Sequence, residues 1–220
     1  MWRIIWQDSL LSITFDQVPS TTPLSNRYLR RPLTLDTGFL SYNDCVKHLC
    51  KTGLDIVRER STGFDSHREL SLVSKLQDEL AGIHASAAPH LRDISRCRSN
   101  RDQLEYWNFY LHFSYITSEV CRPAIKRKKA SELPSELYKS CIAGLADTLR
   151  AYLGLQTVTV CARTSWAAIH RALSSALLMA LMKEVVKTAS TRTLLEEFTI
   201  VMLELNSDLG PSEVPAPLSG

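Results

Sequence analysis

The segment from Leu104 to Ile116 constrains the fold more than any other part of the chain. Its apolar side chains point to nearly every side of a helix with about 3.6 residues per turn. They are Leu104, Tyr106, Trp107, Phe109, Tyr110, Leu111, Phe113, Tyr115 and Ile116. Because a helix that is apolar all round has to be covered on every side, we expect this one in the middle of a core.

Apolar residues recur with helical spacing through most of the remaining chain, and no alternating runs separated by hairpin turns occur. The sequence therefore predicts an all-α fold of about seven helices. Their predicted spans are about 2–12, 42–60, 66–88, 100–122, 134–154, 166–181 and 193–209. Residues 1–208 are expected to form one domain, and the polar, proline-rich residues 209–220 a disordered tail.

Polar residues mark several of the predicted helix ends. Ser41 stands before an apolar-periodic run and is expected to be an N-cap. Capping-box spacing marks three further starts: Ser66 with Glu69, Asn100 with Gln103, and Thr193 with Glu196. Gly154 is expected to fray the end of the helix that begins near Pro134.

The helix over 166–181 carries its large apolar residues at every third or fourth position: Trp166, Ile169, Leu173, Leu177 and Leu181. That spacing is typical of a stripe that packs against a core. Trp166 and His170 are four residues apart and share a helix face. We expect both to be packing residues, with His170 hydrogen-bonded in the core.

Composition excludes several classes of protein. The 220 residues are 45% hydrophobic and 22% charged, which is ordinary for a soluble globular protein, and a net charge of +3 does not indicate a nucleic-acid or membrane partner. The longest uncharged apolar run inside the fold, Ala172–Met182, is far shorter than the roughly 20 residues that cross a membrane. No targeting segment is evident at the start, so we expect an intracellular, soluble protein. The basic run Lys126–Lys129 is interpreted as a solvated loop, ahead of a nuclear-import signal or a DNA contact.

Six cysteines, at positions 45, 50, 97, 121, 141 and 161, are spread singly and are expected to be reduced and largely buried. Cys45, His48 and Cys50 are the closest approach to a metal motif. On a helix the two thiols would lie about 140° apart, which suits a shared tetrahedral ion poorly. We therefore expect no metal site.

No catalytic or phosphate-binding motif occurs in the sequence, so we do not expect an enzyme. The alternative is a helical small-molecule-binding protein or enzyme with an aromatic-lined pocket. Its lining would be Trp107, Tyr110, Tyr115 and Trp166.

Three segments carry a family resemblance. Trp6, Asp8 and Ser12 lead into a short turn at Gln17, Val18 and Pro19, Leu111–Pro123 ends in Arg122 and Pro123, and Thr164–Leu178 contains Ser165, Trp166 and His170. In this order they resemble the regulatory domain, or middle homology region, of fungal zinc binuclear-cluster transcription factors. The family's first turn usually ends in Arg-Pro, and Gln17 with Val18 departs from it, so no role of that arginine is carried over.

The resemblance implies the C-terminal part of such a domain. Full-length members act in the nucleus and bind DNA through an N-terminal zinc cluster of closely paired cysteines, which this sequence lacks. The expectation is therefore a regulatory fragment without cofactor, from a truncated gene model, a degenerate copy or a short isoform. Its partners would be proteins or a second copy, held through exposed apolar surface around Trp2 and Trp6, and possible small-molecule effectors. The family-motif positions are expected to be structural: Trp6, Asp8, Ser12, Pro19, Arg122, Pro123, Trp166 and His170.

Overall fold

The computed structural model describes residues 2–15, 17, 20, 38–61, 66–126 and 135–208. These residues contain seven helices of 14 residues or more: α1 (Trp2–Phe15), α2 (Tyr42–Ser61), α3 (Ser66–Ser86), α4 (Asn100–Cys121), α5 (Ser135–Val158), α6 (Trp166–Leu181) and α7 (Ala189–Asp208). Single-turn helices occupy Pro89–Arg92, Pro123–Lys126 and Lys183–Val186. No strand occurs in the described ranges, where Leu40 and Ala87 form an isolated bridge. The all-α prediction of about seven helices is confirmed.

Helix α4 lies between two hydrophobic clusters. Phe109 and Ile116 pack into the cluster formed with α2 and α3. Leu111 packs into the cluster formed with α5, α6 and α7. The helix that is apolar nearly all round is thus covered from two sides, which confirms its predicted place inside the core.

Helices α4 and α5 cross at close range because α5 has a glycine at the crossing. A Cβ atom on Gly144 would lie 3.0 Å from the Ser114 carbonyl oxygen and 3.0 Å from the Ser118 amide nitrogen. Nearby, the Cys141 thiol donates to the Ser118 carbonyl oxygen at 3.4 Å. Since these are backbone atoms, a larger residue at position 144 would force the two helices apart.

The predicted helix starts are partly right. Ser41 Oγ accepts a hydrogen bond from the Asp44 amide at 3.3 Å, as an N-cap does. The cap of α4 is Ser99, whose Oγ accepts from the Asp102 amide at 3.1 Å, one residue before the predicted Asn100. The predicted start at Thr193 is wrong, because α7 begins at Ala189 and the Thr193 hydroxyl donates to the Ala189 carbonyl within the helix.

Gly154 does not fray α5, which continues to Val158. A Cβ atom at position 154 would lie 2.5–2.6 Å from the indole ring of Trp107. The glycine therefore makes room for a tryptophan of α4, and it is not a helix-ending signal. The sequence-based expectation was wrong because a glycine near a helix end and a glycine under a packed ring look alike in one sequence.

Most of the predicted core stripe of α6 faces outward instead, and its remaining member, Ile169, is partly buried against the core. Leu173, Leu177 and Leu181 are 49%, 61% and 71% exposed, and Trp166 is 50% exposed. The buried side of α6 consists mostly of small residues: Ala168, Arg171, Ala172, Ser175, Ala176 and Met179. Small residues let α6 pack into the core cluster shared with α5 and α7, so the large side chains remain on the outer side. We call Leu173, Leu177 and Leu181 the α6 leucine stripe.

Some sequence-based predictions lie outside the described residues. They are the turn at Val18 and Pro19, the basic residues 127–129, and the tail over 209–220. Within the described ranges, no helix combines the length and the apolar character required to cross a membrane.

Candidate functional site

The most unusual side chain in the described structure is an arginine inside the core. Arg171 lies on the small-residue face of α6 and is 1% exposed. Its Nη1 and Nη2 atoms have no hydrogen-bond partner. The other unpartnered buried polar groups in the described ranges are on neutral types of side chain or on histidines: His112, Tyr152, Gln156, His170 and Ser175. Arg171 is therefore a buried cation whose terminal N–H groups have no acceptor.

Two aromatic rings contact the guanidinium. Its Cζ atom lies 5.8 Å from the ring centroid of Trp6 on α1 and 5.0 Å from that of Tyr115 on α4. Desolvated cation–π contacts contribute about 2 kcal/mol. Burying an ion costs several kcal/mol even after relaxation. The aromatic contacts therefore offset only part of the cost, and they leave the N–H groups without acceptors.

No neighbouring anion in the described structure neutralises the charge of Arg171. Burial lowers the pKa of Arg171 to about 9, and the nearby Tyr42 acts in the opposite direction. Burial also raises the pKa of the Tyr42 phenol to about 12. At neutral pH the guanidinium is therefore charged and the phenol is uncharged, so Tyr42 does not neutralise it.

Two further unpartnered polar groups belong to the helices that carry Arg171 and Tyr115. Ser175 is one helical turn beyond Arg171 on the same buried face, and its Oγ atom has no partner. His112 is one turn from Tyr115 and meets Trp6 edge-on, with ring centroids 4.8 Å apart, and its Nδ1 atom is also unpartnered. We call Arg171, Trp6, Tyr115, His112 and Ser175 the arginine site. Its surplus of donors suits an oxyanion acceptor.

The arginine site joins the three segments on which the family resemblance rests. Trp6 comes from the first segment, His112 and Tyr115 from the second, and Arg171 follows His170 in the third. Sequence reasoning missed Arg171 itself. The available signal was a single charged residue on the alanine-rich side of α6, between Ala168 and Ala172. The large leucines on the opposite side form the stronger hydrophobic pattern, so that side was predicted to face the core.

A second buried charge is fully paired. Glu119 Oε2 lies 2.9 Å from Arg60 Nη2 and 3.1 Å from Arg122 Nη1. Arg60 Nη2 also donates to the Glu119 carbonyl oxygen at 3.0 Å. The three residues, here called the glutamate cluster, border a cavity of about 80 Å³ together with Pro123 and apolar residues of α2 and α3. Arg122 of the family motif thus holds a carboxylate at the end of α4.

The other family-motif residues have local roles. Trp166 stacks on His170 with ring centroids 5.1 Å apart, and burial lowers the pKa of His170. The expected hydrogen bond is not made by His170 Nδ1, which has no partner, and Trp166 is 50% exposed rather than buried in the core. Ser12 is buried and its carbonyl oxygen accepts from the Gln17 amide at 3.0 Å. Asp8 is half-buried on α1, and Pro19 lies outside the described residues.

The candidate metal motif does not assemble. Cys45 and Cys50 are both buried, but their thiols donate to different carbonyl oxygens, those of Leu40 and Ile5. Burial raises the pKa of Cys45 to about 12 and that of Cys50 to about 11, so both are neutral thiols. In the part of the chain that the structure describes, no group of three metal-ligating side chains comes together.

The four residues of the alternative aromatic pocket fall into separate environments. Trp107 and Tyr110 contact each other with ring centroids 6.4 Å apart. Tyr115 lies against Arg171, and Trp166 lies against His170. These contacts do not bring the four rings together around one space.

Comparisons of the chain with protein-family models, with curated proteins and with solved structures find no match.

Proposed function

We propose that the chain is a regulatory domain fragment of the fungal transcription-factor type, which acts by binding a protein partner and carries out no reaction itself. The observation that carries this proposal is the α6 leucine stripe. Single exposed leucines are common on protein surfaces, but three at successive turns of one helix form a contiguous apolar patch. Such a patch is typical of a protein-binding surface.

One further observation supports the proposal. The three segments of the family resemblance, far apart in sequence, meet around one buried side chain. On this proposal the chain works in the nucleus, contains no zinc and reaches DNA through another module.

The proposed occupant of the α6 leucine stripe is a protein helix, either from a second copy of this chain or from another regulator. Apolar residues at every fourth position present a straight ridge, which fits between the side chains of a second helix. On α1, Ile4 and Leu11 are also exposed, by 56% and 43%. The earlier expectation that Trp6 faces a partner is not supported, because Trp6 contacts His112 and Arg171 inside the chain.

The test is a reporter assay with the chain fused to a heterologous DNA-binding module in a fungal host. We expect the fusion to raise or lower reporter output relative to the DNA-binding module alone. The double variant Leu173→Glu/Leu177→Glu should abolish that change, because charge on the ridge prevents apolar contact. Val160→Glu is the matched control, since Val160 is 75% exposed and lies outside the stripe.

The reporter result decides the proposal. An inert fusion, or a double variant that behaves like the parent, contradicts it. Sedimentation of the purified chain then identifies the partner: a dimer that the double variant dissociates means a second copy, whereas a monomer with reporter activity means another regulator.

A further inference from the structure

We propose that the arginine site binds a small molecule through an oxyanion group, a carboxylate or a phosphate, which seats on the Arg171 guanidinium. The inference starts from the unused donors. Both terminal nitrogens of Arg171 lack acceptors although the side chain is 1% exposed. Native proteins satisfy almost all buried donors, and a buried charge is ordinarily paired. The acceptor for these donors therefore comes from outside the described residues, and we assign it to a ligand.

The chemistry of the ligand follows from the neighbouring side chains. The terminal nitrogens of a guanidinium form a planar fork that matches two oxygens of a carboxylate or phosphate. Ser175 Oγ and His112 Nδ1 are further unpartnered polar atoms on the helices that carry Arg171 and Tyr115. A neutral acceptor such as an amide would satisfy the N–H groups but leave the charge uncompensated. An anion satisfies both, which is why we infer an oxyanion.

The two aromatic rings of the arginine site set the surroundings of a bound ligand. The Trp6 indole lies 5.8 Å from the guanidinium and is half-buried, and the Tyr115 ring lies 5.0 Å from it and is buried. The aromatic faces of Trp6 and Tyr115 would therefore adjoin the body of the ligand.

The test measures anion-dependent stabilisation of the purified full chain. Thermal unfolding is followed with increasing inorganic phosphate or succinate, against sodium chloride at equal ionic strength. We expect one or both oxyanions to raise the unfolding midpoint above the chloride value, because a ligand of the native state stabilises it by mass action. The anion with the lower half-saturating concentration identifies the ligand group as phosphate or carboxylate.

Two variants assign the effect to Arg171. Arg171→Met should abolish the response, and Arg171→Lys should raise the half-saturating concentration about tenfold, because an ammonium keeps the charge but loses the planar fork. Arg150→Met is the matched control, since Arg150 is exposed and pairs with Asp147 on the surface of α5. It should respond like the parent.

The proposal is overturned if neither oxyanion exceeds chloride in the parent chain, or if Arg171→Lys and Arg171→Met respond as the parent does. The parent measurement stands by itself even if a variant does not fold. A role of the anion as an effector rests on the proposed function, whereas its binding does not. Oxyanion binding without reporter activity would support the arginine site and contradict the regulatory role. Reporter activity without oxyanion binding would support the regulatory role and contradict the arginine site.

Discussion

The glutamate cluster and the arginine site treat a buried charge in opposite ways. In the glutamate cluster, Glu119 is 7% exposed and has two arginines within 3.1 Å. In the arginine site, Arg171 is 1% exposed and its terminal nitrogens have no acceptor. Glu119 is one helical turn from Tyr115, the α4 residue that contacts Arg171, so the difference comes from the partners of each charge rather than from depth in the core.

The partners explain what each site does. Arg60 and Arg122 are 24% and 44% exposed, so neutralising Glu119 costs them little desolvation free energy. This pairing joins α4 to α2. Arg171 instead has aromatic rings, which stabilise a cation without accepting its hydrogen bonds in the plane of the guanidinium. The first arrangement pairs the buried charge within the chain, and the second leaves the terminal nitrogens of Arg171 without acceptors.

The largest expected effect comes from removing both partners of Glu119. The double variant Arg60→Met/Arg122→Met leaves a buried carboxylate unpaired, and we expect it to lower the free energy of unfolding by about 3–5 kcal/mol. Urea denaturation measures the change. Arg58→Met is the control on the same helix, because its contact with Asp55 is on the surface and at 3.5 Å. A loss below about 1 kcal/mol would mean that the comparison is wrong.

Removing the unpaired charge should change the free energy of unfolding in the opposite direction. Arg171→Met replaces an uncompensated cation with an apolar side chain of similar length. We therefore expect the free energy of unfolding to rise by about 1 kcal/mol or more in buffer without phosphate or carboxylate. Chemical denaturation at low salt provides the measurement. If the variant were destabilised, Arg171 would be a structural residue whose aromatic contacts outweigh its burial, and the contrast with Glu119 would disappear.

The smallest expected effect concerns the histidines, which are neutral groups that become charged in acid. Burial lowers the pKa values of His48, His84 and His170 below the ordinary 6.5. The unfolded chain therefore binds protons more readily than the folded chain just below pH 6.5, and stability decreases as the pH falls through that value. Unfolding midpoints from about pH 7.5 to about pH 5.5 should show the decrease.

Replacing a histidine tests the source of this pH dependence. His84→Gln removes one of the three titrating rings, so the variant should lose less stability than the parent over the same interval. An identical profile in the parent and the variant would show that His84 does not contribute. A gain in stability on acidification would contradict the direction of all three shifts.

The fold was predictable from the sequence to a large extent, and the site was not. Helix α4 carries apolar side chains on nearly every side, which predicted its central position because every face of such a helix must be covered. Gly154 was wrongly predicted to end its helix because its actual role depends on Trp107, which packs against it. Thr193 was wrongly predicted to begin the last helix, which starts earlier, at Ala189. The buried face of α6 was predicted wrongly because an amphipathic pattern shows that two helix faces differ but does not show which face packs against a neighbouring helix.

By itself, the sequence determined the helical class, the number of long helices and the central place of α4, since these follow from local periodicity and from the need to bury apolar surface. Tertiary structure alone decided that the small side of α6 is buried and that Arg171 enters the core with it. The physical reason is distance: whether a charge is paired depends on which side chains lie within hydrogen-bond reach. For Arg171, the surrounding residues are contributed by helices about sixty to one hundred and sixty positions away along the chain.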